Sequence, residues 1–185
     1  MNETMKTILS RRSIRAFKDE QIKTEELQLI LEAGQFAPSA MNGQPWHFTV
    51  VQNKELLHKI NEACRTLLAK SGNKMFEERV KDPNFSVFYH APTFIIISGD
   101  EKAMLAQIDC AVALQNMLLS AESLGIGSCW IHALASLFST EEGAALRKEL
   151  GIPDQYTPFC SGAFGYKAME PTAPPRKEDI VSIIK

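Results

Sequence analysis

The chain has 185 residues, 45% of them apolar and 23% charged, with a formal net charge of −2. That length suits one domain (1–185) around one core, and the charge balance gives no global attraction to nucleic acid or to an anionic membrane. No stretch approaches the roughly 20 apolar residues of a membrane span, and Met1–Lys6 leads into no signal-peptide core, so a cytoplasmic protein is expected.

In chain order, a short helix is expected over Glu3 to Ser10. In the second helix Thr24 is the expected N-cap, Glu25 and Glu26 suit the positive helix end, and Leu27, Ile30, Leu31 and Gly34 share a face. It stops near Pro38, and His47 to Val51 reads as a strand. Lys54 to Lys70 is strongly amphipathic, and Ser71-Gly72-Asn73 breaks it. Thr93 to Ser98 is a continuous β-prone run, expected as a buried strand. Asp100 is the expected cap of a long helix that reaches about Leu124, where Gly125 is its C′ stop. Ser128 to Ile131 is a third strand, and Ser139 with Glu142 forms a capping-box pattern for a helix ending at Gly151-Ile152-Pro153. Tyr156 to Phe164 is a fourth strand. Beyond Gly165, Pro171, Pro174 and Pro175 make an extended arm, tipped by a short apolar helix or strand over Ile180 to Ile184. The fold class is α+β, and an apolar-tipped arm suits wrapping around another body, a second subunit above all.

Four segments carry possible chemistry. In Arg11-Arg12-Ser13-Ile14-Arg15, a helical backbone would place Arg11 and Arg15 on one face, where like charges repel by roughly 0.2–0.5 kcal/mol unless an anion lies between them. A solvated basic helix end explains the same residues. Ala37-Pro38-Ser39-Ala40-Met41-Asn42-Gly43-Gln44-Pro45-Trp46 is a turn-rich loop whose Asn42 and Gln44 amides could read a planar heterocycle, or an ordinary polar loop with Trp46 anchored in the core. Gly125 and Gly127 permit close backbone approach before Trp130, Ile131 and His132; a helix cap followed by a buried strand is the plainer account. Pro174-Pro175-Arg176 sets a cation on a stiff arm or in a solvated tail. Cys64, Cys110, Cys129 and Cys160 are widely spaced, as are the four histidines, so four reduced thiols and no metal site are expected. Asp109 and Gln115-Asn116 read as satisfied polar positions.

Taken in order, Arg-Arg-Ser-Ile-Arg, Ala-Pro-Ser-Ala-Met-Asn-Gly-Gln-Pro-Trp, Leu-Gly-Ile-Gly-Ser-Cys-Trp-Ile and the final Pro-Pro-Arg resemble the nitroreductase family of FMN-dependent enzymes, in its compact branch. The resemblance implies a central, mostly antiparallel sheet flanked by helices, and a homodimer with FMN at its interface. It implies that Arg11 and Arg176 hold the phosphate, that Arg12 and Ser13 assist at the phosphate and ribityl chain, and that Arg15 lies toward the pyrimidine edge. Pro38, Ser39, Ala40, Met41, Asn42 and Gln44 would come from the partner, and Trp130, Ile131 and His132 would flank the isoalloxazine. Three departures stand out. Ala40 and Met41 replace hydroxyl residues, Glu77 falls where many members have an asparagine, and Pro174 falls where some have a lysine.

The implied activity is ping-pong hydride transfer from NADH or NADPH through the flavin to a nitroaromatic, quinone or similar acceptor, with His132 as a possible proton donor. Enone reduction, reductive dehalogenation, flavin consumption, a non-catalytic flavin-binding protein and a small helical interaction protein are the competing expectations.

Overall fold

A computed structural model describes residues 1–185. Strand β2 (Thr93–Asp100) sets the architecture. Phe94 and Ile96 point to one face and Ile95 and Ile97 to the other, and all four are fully buried, so both faces need cover. Strands β1 (Trp46–Val51), β3 (Ile126–Ile131) and β4 (Tyr156–Tyr166) complete an antiparallel sheet in the order β1-β2-β4-β3. The register slips between Ile97 and Ser98, opposite Pro158, which a bulge accommodates because proline has no N–H to pair.

One face packs on α2 (Thr24–Gln35) and α5 (Ala106–Ser123) through Ile30, Leu114 and Met117. The other packs on α3 (Lys54–Ala69), α6 (Leu134–Leu137), α7 (Glu141–Glu149) and the loop from Phe85 to Ala91. Two short helices lie outside these layers, α1 (Glu3–Ser10) and α4 (Lys74–Arg79). No helix is long and apolar enough to cross a membrane, and no His, Cys, Asp and Glu side chains group in a way that would hold a metal ion. All four cysteines are free and buried, and burial pushes the Cys64 and Cys110 thiols up to about 12.

Several boundaries differ from the sequence expectation. Helix α2 is capped at Lys23, whose N–H donates to the Glu26 carboxylate at 2.9 Å, so Thr24 is its first residue. Asp100 does not cap α5. Its carboxylate accepts the Lys102 N–H at 2.9 Å, an aspartate turn closed two residues on, and α5 starts only at Ala106. Thr140, rather than Ser139, caps α7 by accepting the Gly143 N–H at 3.0 Å, and Ser139 lies in the turn between α6 and α7. Strands β3 and β4 extend through Gly127 and Gly165, which pair opposite each other. Glycine weakens a strand unless a neighbour needs its space, and Ile14 fills the space beside Gly127. Ile180 to Ile184 forms neither helix nor strand and is exposed; five residues are too few to nucleate a helix alone.

The most consequential difference is at Arg11–Arg15. Helix α1 ends at Ser10, and Arg11 already has extended backbone (φ −52°, ψ 128°). The segment therefore alternates faces rather than stacking Arg11 above Arg15. Ile14 turns inward and is 1% exposed, and its N–H donates to the Ser128 carbonyl at 2.9 Å beside a parallel bridge from Ser13 to Ser128. A Cβ on Gly127 would meet Ile14 Cγ2 at 3.0 Å, so the glycine admits this close approach. Replacing Ile14 by alanine should cost about 2–5 kcal/mol, a fall of roughly 5–15 °C in Tm, where Ile14→Val should cost about 0.5–1.5 kcal/mol. Thermal and urea melts of the two variants check this; equal, negligible losses would show that the segment is not anchored by that side chain.

Candidate functional site

The alternation that buries Ile14 sends Arg11, Ser13 and Arg15 the other way. They line a cavity of about 220 Å³ together with Arg12, Pro171, Thr172, Pro174 and Arg176. The extended arm thus returns over the basic segment, and the Arg15 N–H donates to the Met169 sulfur at 3.3 Å as it does so. Arg12 has a second duty. One of its nitrogens donates to the Leu9 and Arg11 carbonyls at 2.7 Å each, capping the end of α1. None of Arg11, Arg12, Arg15 and Arg176 has a carboxylate within 4.0 Å, and no acidic residue lines the cavity. Four guanidinium groups around so small a space repel one another until an anion joins them, and planar N–H forks suit phosphate oxygens.

Strand β3 is an edge strand, paired on one side with β4. Because Ser128 turns its carbonyl outward to Ile14, the two-residue period turns the Trp130 backbone to the same open edge. Trp130 is half-exposed there, and His132 follows it, exposed. Ile131 points inward and is buried, with its carbonyl held by the Ser161 hydroxyl at 2.7 Å, so it offers only backbone. Trp130, Ile131 and His132 border a cavity of about 960 Å³, whose apolar wall includes Leu67, Phe76 and Leu137. A middle cavity of about 480 Å³ shares Arg15 with the basic one and Arg79, Phe85 and Tyr89 with the apolar one. The middle cavity therefore shares wall residues with both of the others.

The loop from Pro38 to Gln44 lines none of these cavities. It forms a tight turn in which Met41 (φ 52°), Asn42 (φ 56°) and Gln44 (φ 44°) are left-handed. For a long side chain such as Met41 that conformation costs about 1–2 kcal/mol. It is held by both carboxylate oxygens of Asp109, which accept the Ala40 N–H at 3.2 and 3.3 Å, and by the Ser39 hydroxyl, which accepts the Gln44 N–H at 3.0 Å. The Gln44 amide donates to the Asn42 side chain at 3.2 Å. Met41 is fully exposed, so the turn presents an apolar tip away from its own domain's cavities.

Sequence reasoning placed Asp109 among satisfied polar positions but not as the anchor of this turn. It missed α4 and with it Phe76 and Arg79. A signal was present: Asn73 accepts the Met75 N–H at 3.0 Å, and an acid in the first turn and Arg79 in the last follow the usual helix-end preferences. Glu77, on the same helix, does not line the apolar cavity.

The chain matches the model of the Nitroreductase family over residues 8–166. It is 39% identical to a nitroreductase with bound FMN from Bacteroides fragilis, superposing over 100% of both chains with a TM-score of 0.93. A nitroreductase with bound FMN from Desulfitobacterium hafniense is 32% identical, again over 100% of both chains, with a TM-score of 0.92. The Bacillus subtilis FMN reductase [NAD(P)H] is 30% identical over 189 residues, spanning 95% of this chain and 70% of that protein. With the match running through the basic segment, the β3 edge and the whole sheet, this chain belongs to the nitroreductase family.

Proposed function

We propose that this protein is an FMN-dependent NAD(P)H oxidoreductase acting on a nitroaromatic, quinone or similar small acceptor. The observation that carries this reading is the cavity of four unpaired arginines set beside the open edge of β3. The residues fit FMN: a cationic cradle for a phosphate dianion at one end, and at the other an apolar cavity whose wall includes Trp130, on the edge strand β3. Bound FMN supplies the exchange of a hydride, two electrons at a time.

The chain's own residues do the rest. Arg11 and Arg176 hold the phosphate, and Arg12 and Ser13 close its sides. Arg15 would set positive charge beside the pyrimidine edge of the bound ring and favour its reduced form. The Trp130 backbone orients the ring through the edge left free by β4. His132, exposed at the cavity wall, is placed to hand a proton to an acceptor. In this reading donor and acceptor use the same apolar cavity in turn, a ping-pong order.

The working unit in this reading is a homodimer. The chain exposes 11264 Å², against about 8,900 Å² for a compact monomer of 20.6 kDa. Exposed apolar side chains on α1 (Ile8, Leu9), at the end of α2 (Phe36), on the 38–44 turn (Met41), before and on α5 (Leu105, Ile108) and on the arm (Ile183, Ile184) account for part of the excess. A partner covering them would receive the turn, and Pro38, Ser39, Ala40, Met41, Asn42 and Gln44 would complete its site.

Three outcomes are expected. Steady-state rates at several acceptor concentrations should give parallel double-reciprocal lines with NADH or NADPH as the varied donor; intersecting lines would exclude alternating occupancy. Arg11→Ala should raise the FMN dissociation constant about 10- to 100-fold, as losing one charge-assisted hydrogen bond of about 1.5–3 kcal/mol requires, with little change in Tm. Purification of that variant fully loaded with flavin would refute the phosphate assignment. Asp109→Ala strands the Ala40 N–H at a cost of about 1–3 kcal/mol and should lower FMN retention and dimer mass together, whereas Asp109→Asn keeps an acceptor and should restore both. Fluorescence titration and sedimentation measure the pair.

A further inference from the structure

The wall of the apolar cavity contains a cation whose charge the protein leaves unanswered. Arg79 closes α4, and its guanidinium lies 5.8 Å from the Phe85 ring centroid and 5.4 Å from that of Tyr89. It makes no side-chain hydrogen bond and has no carboxylate within 4.0 Å. Arg65 shows what a structural arginine does at the same place. It too lies over Phe85, at 5.2 Å, but its nitrogens donate to the Val80, Asp82 and Phe85 carbonyls at 2.7, 3.0 and 3.2 Å. Arg79 has the aromatic neighbours without the acceptors. Two ring contacts restrain the guanidinium and leave its N–H donors free. One of those rings is itself held at a cost, since Tyr89 and His90 are consecutive left-handed residues at φ 58° each, pinned by the Ser86 hydroxyl, which accepts the His90 N–H at 2.8 Å.

Charge number separates this cavity from the basic one. Four arginines and no carboxylate line the 220 Å³ space, as a phosphate dianion needs. Here a fork stands in a wall rich in leucine and aromatic side chains, with Lys70 at the wall and Glu141 and Glu142 lining the same cavity from the start of α7. Those two carboxylates disfavour a dianion, while a planar monoanion attached to an apolar ring satisfies both the fork and the wall.

We propose that Arg79 is a specificity residue and that the cavity takes a planar aromatic acceptor bearing a carboxylate, bound two-pronged by the guanidinium. The inference rests on the oxidoreductase reading only in naming the occupant an acceptor. It is tested on the FMN-loaded protein with 4-nitrobenzoate and its neutral methyl ester. The wild type should prefer the carboxylate in kcat/KM, and in Arg79→Gln the ratio of carboxylate to ester should fall about 10- to 100-fold while flavin content stays stoichiometric. An unchanged ratio overturns the proposal, and so does loss of FMN from the variant, which would make Arg79 a cofactor ligand. Calorimetry of oxidised holoprotein with benzoate decides the site without turnover. Benzoate binding that Arg79→Gln abolishes supports it even if neither nitro compound is reduced, in which case the oxidoreductase reading fails alone. No benzoate binding by the wild type overturns the anion site.

Discussion

The rest of the site depends on the docking of Ile14 against β3. One buried side chain and one N–H to the Ser128 carbonyl hold a segment that carries three arginines within five residues. Without that anchor the like charges would separate into solvent, since no carboxylate is supplied to hold them. Burial of an isoleucine is worth about 1.5–3 kcal/mol, enough to offset repulsion between solvated guanidinium groups but not to make the arrangement a stabilising one. The protein thus accepts a local conflict that an anion resolves, the expected signature of a functional position.

Geometry makes the same contact do a second thing. Ile14 occupies part of the free edge of β3 and stops there, so the edge is covered at Ser128 and open at Trp130. Gly127 permits the approach, and the sheet order leaves β3 without a second partner strand. The basic cavity, the middle one and the apolar one are then joined by shared wall residues, with Arg15 and Arg79 on the same Tyr89 ring.

The periodic parts of this architecture were legible in the sequence. The apolar stripe of α3, the run of β2 and the glycine stop after α5 each state their own structure, because burial and a positive φ at Gly125 select those residues. Short polar signals were ambiguous. Asp100 and Ser139 have the chemistry of caps, but Asp100 closes a turn of its own and the neighbouring Thr140 takes the cap of α7. Arg11–Arg15 carries an alternation over five residues, too short to tell an extended segment from a helix without knowing that β3 lies beside it. Among site residues, the arginines and the β3 edge were named from sequence, while Asp109, Phe76, Arg79 and Tyr89 were not assigned to the site. Their placement depends on contacts between segments far apart in the chain, which no local pattern encodes.

The strained turn at Met41 makes the proposed dimer more than a packing arrangement. A turn held left-handed by a buried aspartate, facing away from its own cavities, gives its own domain nothing in return for the strain. If it enters the partner's site, cofactor and partner are ligands of one equilibrium. Whatever factor dimer formation adds to FMN affinity, FMN must add to dimer affinity. The arm obeys the same constraint, because Arg176 lines the basic cavity while the apolar residues beyond it are exposed. Loading the cofactor and closing the dimer would then be two views of one folding step, and Ile14 is the point at which that step is joined to the core.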